Sequence, residues 1–298
     1  MIADQTHTLV GFPLLASKSK ACWELLKPRL SLLVAFSCAF GYVLGSPHIN
    51  WPTLLMLFLG GFLVSGASIV VNQILERDLD KVMSRTKNRP LPTGRISVNE
   101  AILVCLLCLA LGMGILLTYT NVLTTVLSLC SVVLYSFAYT PLKRVGPIAV
   151  LVGAVPGALP PLLGWTAATG AISHEALIIF GIQFIWQFPH FWAIAWVADE
   201  DYRKAGFKLL PSGGEKDLNT AIQIMIYTLF LIPLGLLPAT FGITGIKSAV
   251  VVTLCGVLFL AQTFSLMKSG DRRAALKIMF GSFLYLPVVQ IAYLLDKV

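Results

Sequence analysis

Seven stretches of this chain contain no Asp, Glu, Lys or Arg: residues 30–75, 101–142, 145–174, 176–198, 218–246, 248–267 and 278–295. Together they cover 208 of the 298 residues. About 20 apolar residues in a helix cross the ~30 Å hydrocarbon core of a bilayer, and a spanning segment must satisfy its own backbone groups. Runs of this length and frequency therefore specify an all-α, polytopic integral membrane protein, with no domain built around an aqueous core. Composition agrees, since 57% of residues are hydrophobic and 12% charged, against roughly 25% charged in an ordinary soluble domain. Secreted disulfide frameworks and nucleic-acid binders are excluded. The net charge of +8 comes from short basic loops between apolar spans, where membrane topology is the default cause.

The first two runs are too long for one crossing, and each carries a break: Ser46-Pro47-His48-Ile49-Asn50 in one, Thr118–Thr120 with Asn121 in the other. Nine helices result, expected near 28–46, 52–72, 98–118, 121–140, 147–166, 175–198, 218–238, 245–267 and 277–295. Ser97 and Glu100 have capping-box spacing at the start of the third. Residues 1–27 form an N-terminal segment on the cytoplasmic side. The remainder, 28–298, reads as one transmembrane domain with polar loops at 73–97, 141–146 and 199–217. The N-terminal apolar piece Leu9–Ala16 is too short for a cleavable signal, so the first span is expected to stay in the membrane. Cys38, Cys105, Cys108, Cys130 and Cys255 lie inside apolar runs and read as packing residues.

Lys and Arg divide 20 to 2 between the two faces of a nine-span chain. This asymmetry predicts a cytoplasmic N-terminus and an external C-terminus.

Topology makes no such demand on acids. Eight of the 14 acidic residues nevertheless fall in two loops on the same face: Glu76, Asp78 and Asp80 in one, and Asp199, Glu200, Asp201, Glu215 and Asp217 in the other. Asn72, Glu76 and Asp80 follow one another at i, i+4 and i+8, on one face of a helix leaving the membrane. Stacked oxygen ligands suit Mg²⁺, which is commonly held by one or two carboxylates together with substrate phosphate oxygens. Lys81, Arg85, Lys87, Arg89 and Arg95 follow in the same loop and suit the phosphate charge of a leaving group. Asp199 and Asp201 occupy the matching place after the sixth helix, which hints at a four-helix internal repeat. Two such clusters facing one cavity suit metal-bound diphosphate. The loop Tyr139-Thr-Pro-Leu-Lys143-Arg144 adds two cations and a phenol.

Several stretches carry a resemblance. They are Met83-Ser-Arg-Thr-Lys-Asn-Arg-Pro-Leu-Pro-Thr-Gly94, Tyr139-Thr-Pro-Leu-Lys-Arg144, Gly157-Ala-Leu-Pro-Pro-Leu-Leu-Gly-Trp165, and Pro189-His-Phe-Trp192 leading to Asp201-Tyr202. In this order, over roughly residues 22–295, the chain resembles the UbiA superfamily of intramembrane prenyltransferases, within it the members that farnesylate haem. The resemblance implies a nine-helix fold with two Asp-rich motifs over a lipid-accessible cavity. It implies farnesyl diphosphate and haem b as substrates and Mg²⁺ as cofactor, held by Asn72, Glu76, Asp80, Asp199 and Asp201. Those five and Tyr139 are the expected catalytic residues. Arg77, Lys81, Arg85, Lys87, Arg89, Lys143, Arg144, Lys204 and His190 are the expected substrate-binding residues. Glu76 departs from the family pattern, which has Asp there, and the second motif is compressed. The implied setting is a bacterial inner membrane, with a haem-copper oxidase assembly factor or a haem A-forming enzyme to receive the product. A quinone-pathway aryl prenyltransferase would share the diphosphate motifs and differ at the acceptor. A transporter would more often carry ionisable residues near the midplane.

His190 is the one histidine deep in a span, about 13 Å below Asp199 at 1.5 Å per residue. It is a candidate contact for haem iron or a propionate. Gly153, Pro156, Gly157, Pro160, Pro161 and Gly164 predict a broken fifth helix lining a cavity. Trp186, Phe188, Phe191, Trp192 and Trp196 are candidate pocket aromatics.

Overall fold

The computed structural model describes residues 17–298; the Leu9–Ala16 piece lies outside them. Among the described residues nine helices are long and apolar enough to cross a membrane: α1 (Pro28–Gly45), α2 (Trp51–Leu75), α3 (Val98–Tyr119), α4 (Val122–Leu142), α5 (Ile148–Thr169), α6 (His174–Val197), α7 (Leu218–Thr240), α8 (Ile246–Ser269) and α9 (Arg272–Leu295). Residues 17–25 add a helix ahead of α1.

The breaks in the two long runs are made by asparagine caps. Asn50 accepts from the Thr53 amide at 3.1 Å and Asn121 from the Thr124 amide at 2.9 Å. Each cap satisfies an amide that the helix start would otherwise leave without a partner. Ser97 and Glu100 form the expected capping box, and Lys18 from the preceding helix pairs with Glu100. Helix α9 starts five residues before the expected position. Asp271 caps it through the Ala274 amide at 2.7 Å, which places Arg272, Arg273 and Lys277 in its opening turns.

Helices α6–α9 close into a ring of contacts, with α6 touching both α7 and α9. Helices α1–α5 form the other half, and the halves meet through α5 against α6 and α1 against α9. Ser37, Gln183 and Gln290 link α1, α6 and α9 inside this seam, with the Gln290 amide donating to Gln183 at 3.0 Å and to Ser37 at 3.1 Å. All six cysteines are free.

Helix α5 is continuous, contrary to the expectation of a break, and it is the most buried of the nine. A proline removes the amide that would bond the carbonyl four residues earlier. Pro160 therefore frees the Pro156 carbonyl, which faces the Ser131 hydroxyl at 3.5 Å. Pro161 frees the Gly157 carbonyl, which accepts from Gln183 at 2.9 Å. Side chains of α4 and α6 thus stand in for two of the three backbone donors lost, and the helix is unbroken.

Helices α1 and α5 meet backbone to backbone. A Cβ at Gly41 would lie 1.9 Å from the Pro161 carbonyl oxygen, and one at Gly164 would lie 1.9 Å from that of Cys38. Small residues at such crossings let helices associate where lipid removes any hydrophobic drive between them.

Candidate active site

Helices α2 and α6 each end in a further short helix, Arg77–Asp80 and Asp199–Lys204. Both short helices lie at one end of the bundle, joined because the Asp201 carboxylate accepts from the Ser84 and Arg85 amides, both at 3.0 Å. Beside this junction is a polar cavity of about 100 Å³.

Asn72, Glu76 and Asp80 line it together. The i→i−4 ladder persists across the junction of α2 with the short helix, with Glu76 N to Asn72 O at 2.9 Å and Asp80 N to Glu76 O at 2.8 Å. Helical spacing therefore holds and the three side chains share a face. The Asn72 amide nitrogen donates to Thr140 at 3.2 Å, which leaves its carbonyl oxygen as the group for the cavity.

Both carboxylates already hold a cation. Asp80 is fully buried, and one Arg89 guanidinium nitrogen donates to its two oxygens at 2.9 and 2.7 Å. Lys143 donates to Glu76 at 2.9 Å. Burial pushes the Lys143 ammonium down, but the adjacent Glu76 carboxylate outweighs it, and the net shift is upward. Each buried carboxylate is thereby charge-paired, as burial of a charge requires.

Helix α4 reaches the cavity through an irregular turn. Residues Leu134–Tyr139 are π-helical, and the Thr140 hydroxyl bonds the Tyr135 carbonyl at 2.9 Å. Tyr135 lines the cavity. Tyr139 is buried, with the Lys143 ammonium 4.6 Å above its ring, and a Cβ at Gly153 would meet that ring at 2.5 Å. Tyr139 also adjoins Phe191 at 6.4 Å, and Phe191 adjoins His190 at 5.3 Å. An aromatic path thus leads from the polar cavity into the span of α6.

His190 meets α9. Its Nδ1 lies 2.9 Å from Ser282 Oγ, its ring stacks on Trp186 at 4.3 Å, and Trp186 donates to the Ser282 carbonyl at 3.1 Å.

Of the expected substrate-binding cations, Arg85, Arg89 and Lys143 line the cavity. Arg77 and Lys81 instead pair with exposed Asp78, at 3.2 and 2.9 Å. Lys87 and Arg144 are exposed, and Lys204 lies 3.5 Å from Asp201. The expected five-residue metal set is not assembled. Among the described residues no three His, Cys, Asp or Glu are grouped to hold a metal. Asp199 is engaged by Arg203 at 3.0 Å and Lys216 at 3.3 Å, and Asp201 is turned to the amides of the first loop. Some burial opposes its charge, but those amides prevail and hold its carboxyl at about 2.

Lys27, Met83, Tyr135, Tyr202, Phe207 and Leu209 also line the cavity and were not expected there. Tyr135 had a readable signal, since 135, 139 and 143 repeat the i, i+4, i+8 spacing of the acids. Lys27 was absorbed into the topology count. Burial, then repulsion from Arg89 and Lys143, pull its ammonium down to about 7.

Residues 34–286 match the UbiA prenyltransferase family. The chain is 52% identical over 285 residues to the protoheme IX farnesyltransferase of Cytophaga hutchinsonii, covering 95% of this chain and all of that one. Among solved structures, a digeranylgeranylglyceryl phosphate synthase superposes with a TM-score of 0.77 at 21% identity, over 94% of this chain and 98% of that one. A UbiA homolog from Archaeoglobus fulgidus bound to GPP and Mg²⁺ superposes with a TM-score of 0.65 at 19% identity, over 92% of this chain and 99% of that one.

Proposed function

Because the chain belongs to the UbiA prenyltransferase family, we propose that it transfers the farnesyl group of farnesyl diphosphate to a vinyl group of haem b, adding water and releasing diphosphate to give haem O. It is an integral membrane protein. We place it in a bacterial inner membrane with the cavity on the cytoplasmic side, on the strength of the 20 to 2 distribution of basic residues and the positive-inside rule. The acceptor rests on likeness over nearly the whole chain to protoheme IX farnesyltransferases, 52% identical in the Cytophaga hutchinsonii relative. The donor rests on the cavity, whose observation of most weight is a buried carboxylate stack already charge-paired with Arg89 and Lys143.

The Asn72, Glu76 and Asp80 oxygens fit a hard cation, with the rest of the coordination left to phosphate, as Mg²⁺ sites usually are. When bound there, Mg²⁺ neutralises diphosphate and makes it a better leaving group. Arg85, Arg89 and Lys143 hold the diphosphate. It gains charge as the C1–O bond of the donor breaks, so these cations favour the transition state over the ground state. The Tyr135 ring, which lines the cavity with Tyr139 packed behind it at 5.4 Å, suits the departing allylic cation, and apolar side chains around it exclude water. The haem vinyl electrons then form the new C–C bond. Water adds its oxygen to the resulting carbocation beside the ring and releases a proton, leaving a hydroxyethylfarnesyl group.

His190 is our candidate for holding the acceptor. The Ser282 hydroxyl donates to the Met279 carbonyl at 2.6 Å, so its oxygen accepts from His190 Nδ1–H. That bond fixes the tautomer with the lone pair on Nε2, which suits haem iron and not a propionate.

Purified protein given farnesyl diphosphate, Mg²⁺ and haem b should yield a haem heavier by a farnesyl group plus a hydroxyl, read by mass spectrometry. Unchanged haem would refute the assignment, and an aromatic quinone precursor prenylated in its place would reassign the acceptor.

A further inference from the structure

Lys27 is an anomaly in the cavity. It stands between the helix at 17–25 and α1, with left-handed backbone (φ 43), one of two non-glycine residues at positive φ among those described. Such a conformation is costly and persists only where surrounding structure enforces it. The enforcement is visible: Arg95 pairs with Glu24 at 2.7 Å, Lys18 pairs with Glu100, and the Lys27 amide bonds the Glu24 carbonyl at 3.1 Å. The preceding helix is thereby fastened to the loop that carries Arg85 and Arg89.

The side chain is no better compensated. It lines the cavity, is half-buried, and has no hydrogen bond or ion pair among the described residues. It also lies at the N-terminus of α1, where the helix dipole repels a cation. Four cations, Lys27, Arg85, Arg89 and Lys143, surround the cavity with two carboxylates, Glu76 and Asp80. Each carboxylate is taken by one cation, so Lys27 and Arg85 are basic groups in excess of the acids that line the cavity. A half-buried cation that the fold holds at a cavity wall without a partner suits an anionic group.

Resting on the prenyltransferase reading above, we propose that Lys27 is a substrate-binding residue, its ammonium a direct contact of the diphosphate group. The first helix then enters the site from its N-terminal end, and the helix at 17–25 acts as the strut that sets the position of this cation.

The test is isothermal titration of the full-length protein in detergent with inorganic diphosphate and Mg²⁺, alongside thermal unfolding without ligand. Wild type should bind. Lys27→Met should bind at least tenfold more weakly, Lys27→Arg should recover most of the affinity, and Lys268→Met, exposed at the C-terminal end of α8, should match wild type. Because the Lys27 charge is unpaired without ligand, Lys27→Met should unfold no earlier than wild type. Undiminished diphosphate affinity in Lys27→Met would overturn the proposal, and so would an unstable or unfolded variant, since Lys27 would then be structural. Failure of wild type to bind diphosphate would instead remove the prenyltransferase reading beneath it.

Discussion

Replacing Arg89 by Met would leave the Asp80 carboxylate, fully buried, without its partner. At about 4 Å between charge centres and an effective dielectric near 20, the lost attraction is about 4 kcal/mol. Breaking a buried pair from one side typically costs ~3–5 kcal/mol, because the remaining charge stays desolvated. Lys27 also acts on Asp80 from across the cavity and compensates in part, so the lower end, about 3 kcal/mol, is expected. At the roughly 2–4 °C per kcal/mol of domains somewhat smaller than this one, the apparent Tm should fall by about 6–12 °C. The companion variant is Asp80→Asn with Arg89→Met, which removes both charges and keeps the shape. Its Tm should return to within a few degrees of wild type while diphosphate binding and haem conversion stay lost. Unfolding by tryptophan fluorescence in one detergent, followed by titration with diphosphate, measures both quantities. A single Arg89→Met variant as stable as wild type would refute the reasoning, as would a double variant no more stable than the single.

Other outcomes are as specific. Gly164→Ala brings a Cβ to within 1.9 Å of the Cys38 carbonyl, so α1 and α5 must part by more than 1 Å, at the upper end of the ~1–3 kcal/mol of overpacking; a Tm within 2 °C of wild type would count against the close crossing. His190→Ala should change the haem absorption spectrum and weaken haem affinity while diphosphate titration is unaffected. The Asp201 carboxyl is held at about 2 in the folded protein, below its ordinary ~3.9; its stabilisation is therefore complete above pH 4 and disappears as pH falls through 2. The Tm gap between wild type and Asp201→Asn should accordingly be constant from pH 7 to 4 and close near pH 2. A reporter fused after Val298 should be active only outside the cytoplasm.

The nine spans could be read from charge placement alone, because lipid imposes one requirement on every residue of a span and composition records it. The breaks at Asn50 and Asn121 were equally readable, since a cap is a local device. The start of α9 was not, because its arginines suggested a loop while Asp271 had already begun the helix. Within the site, Asn72, Glu76 and Asp80 came from spacing along one helix, a property of the chain itself. The Glu76–Lys143 and Asp80–Arg89 pairs depend on how loops fold over the bundle end, and no periodicity carries that. Asp201 shows the same limit: its charge suggested a metal ligand, while packing presents it with two backbone amides. Lys27 offered a faint signal in Pro28, which disfavours helical backbone in the residue before it and so marks a turn where the topology count saw only a charge.

The π-helical turn of α4 divides that helix into two parts with separate phases. A π turn accommodates one residue more than an α turn, so the residues before Leu134 and those after Tyr139 are offset by about 100° from an unbroken α-helix, at 3.6 residues per turn. Deleting one residue within the turn would swing Asn121, Thr124 and their contacts with α5 out of register with Tyr139 and Lys143. Substitutions confined to Val122–Val133 leave that phase alone. A single helix can therefore vary the wall it presents deep in the membrane while the groups at its polar end keep their aim.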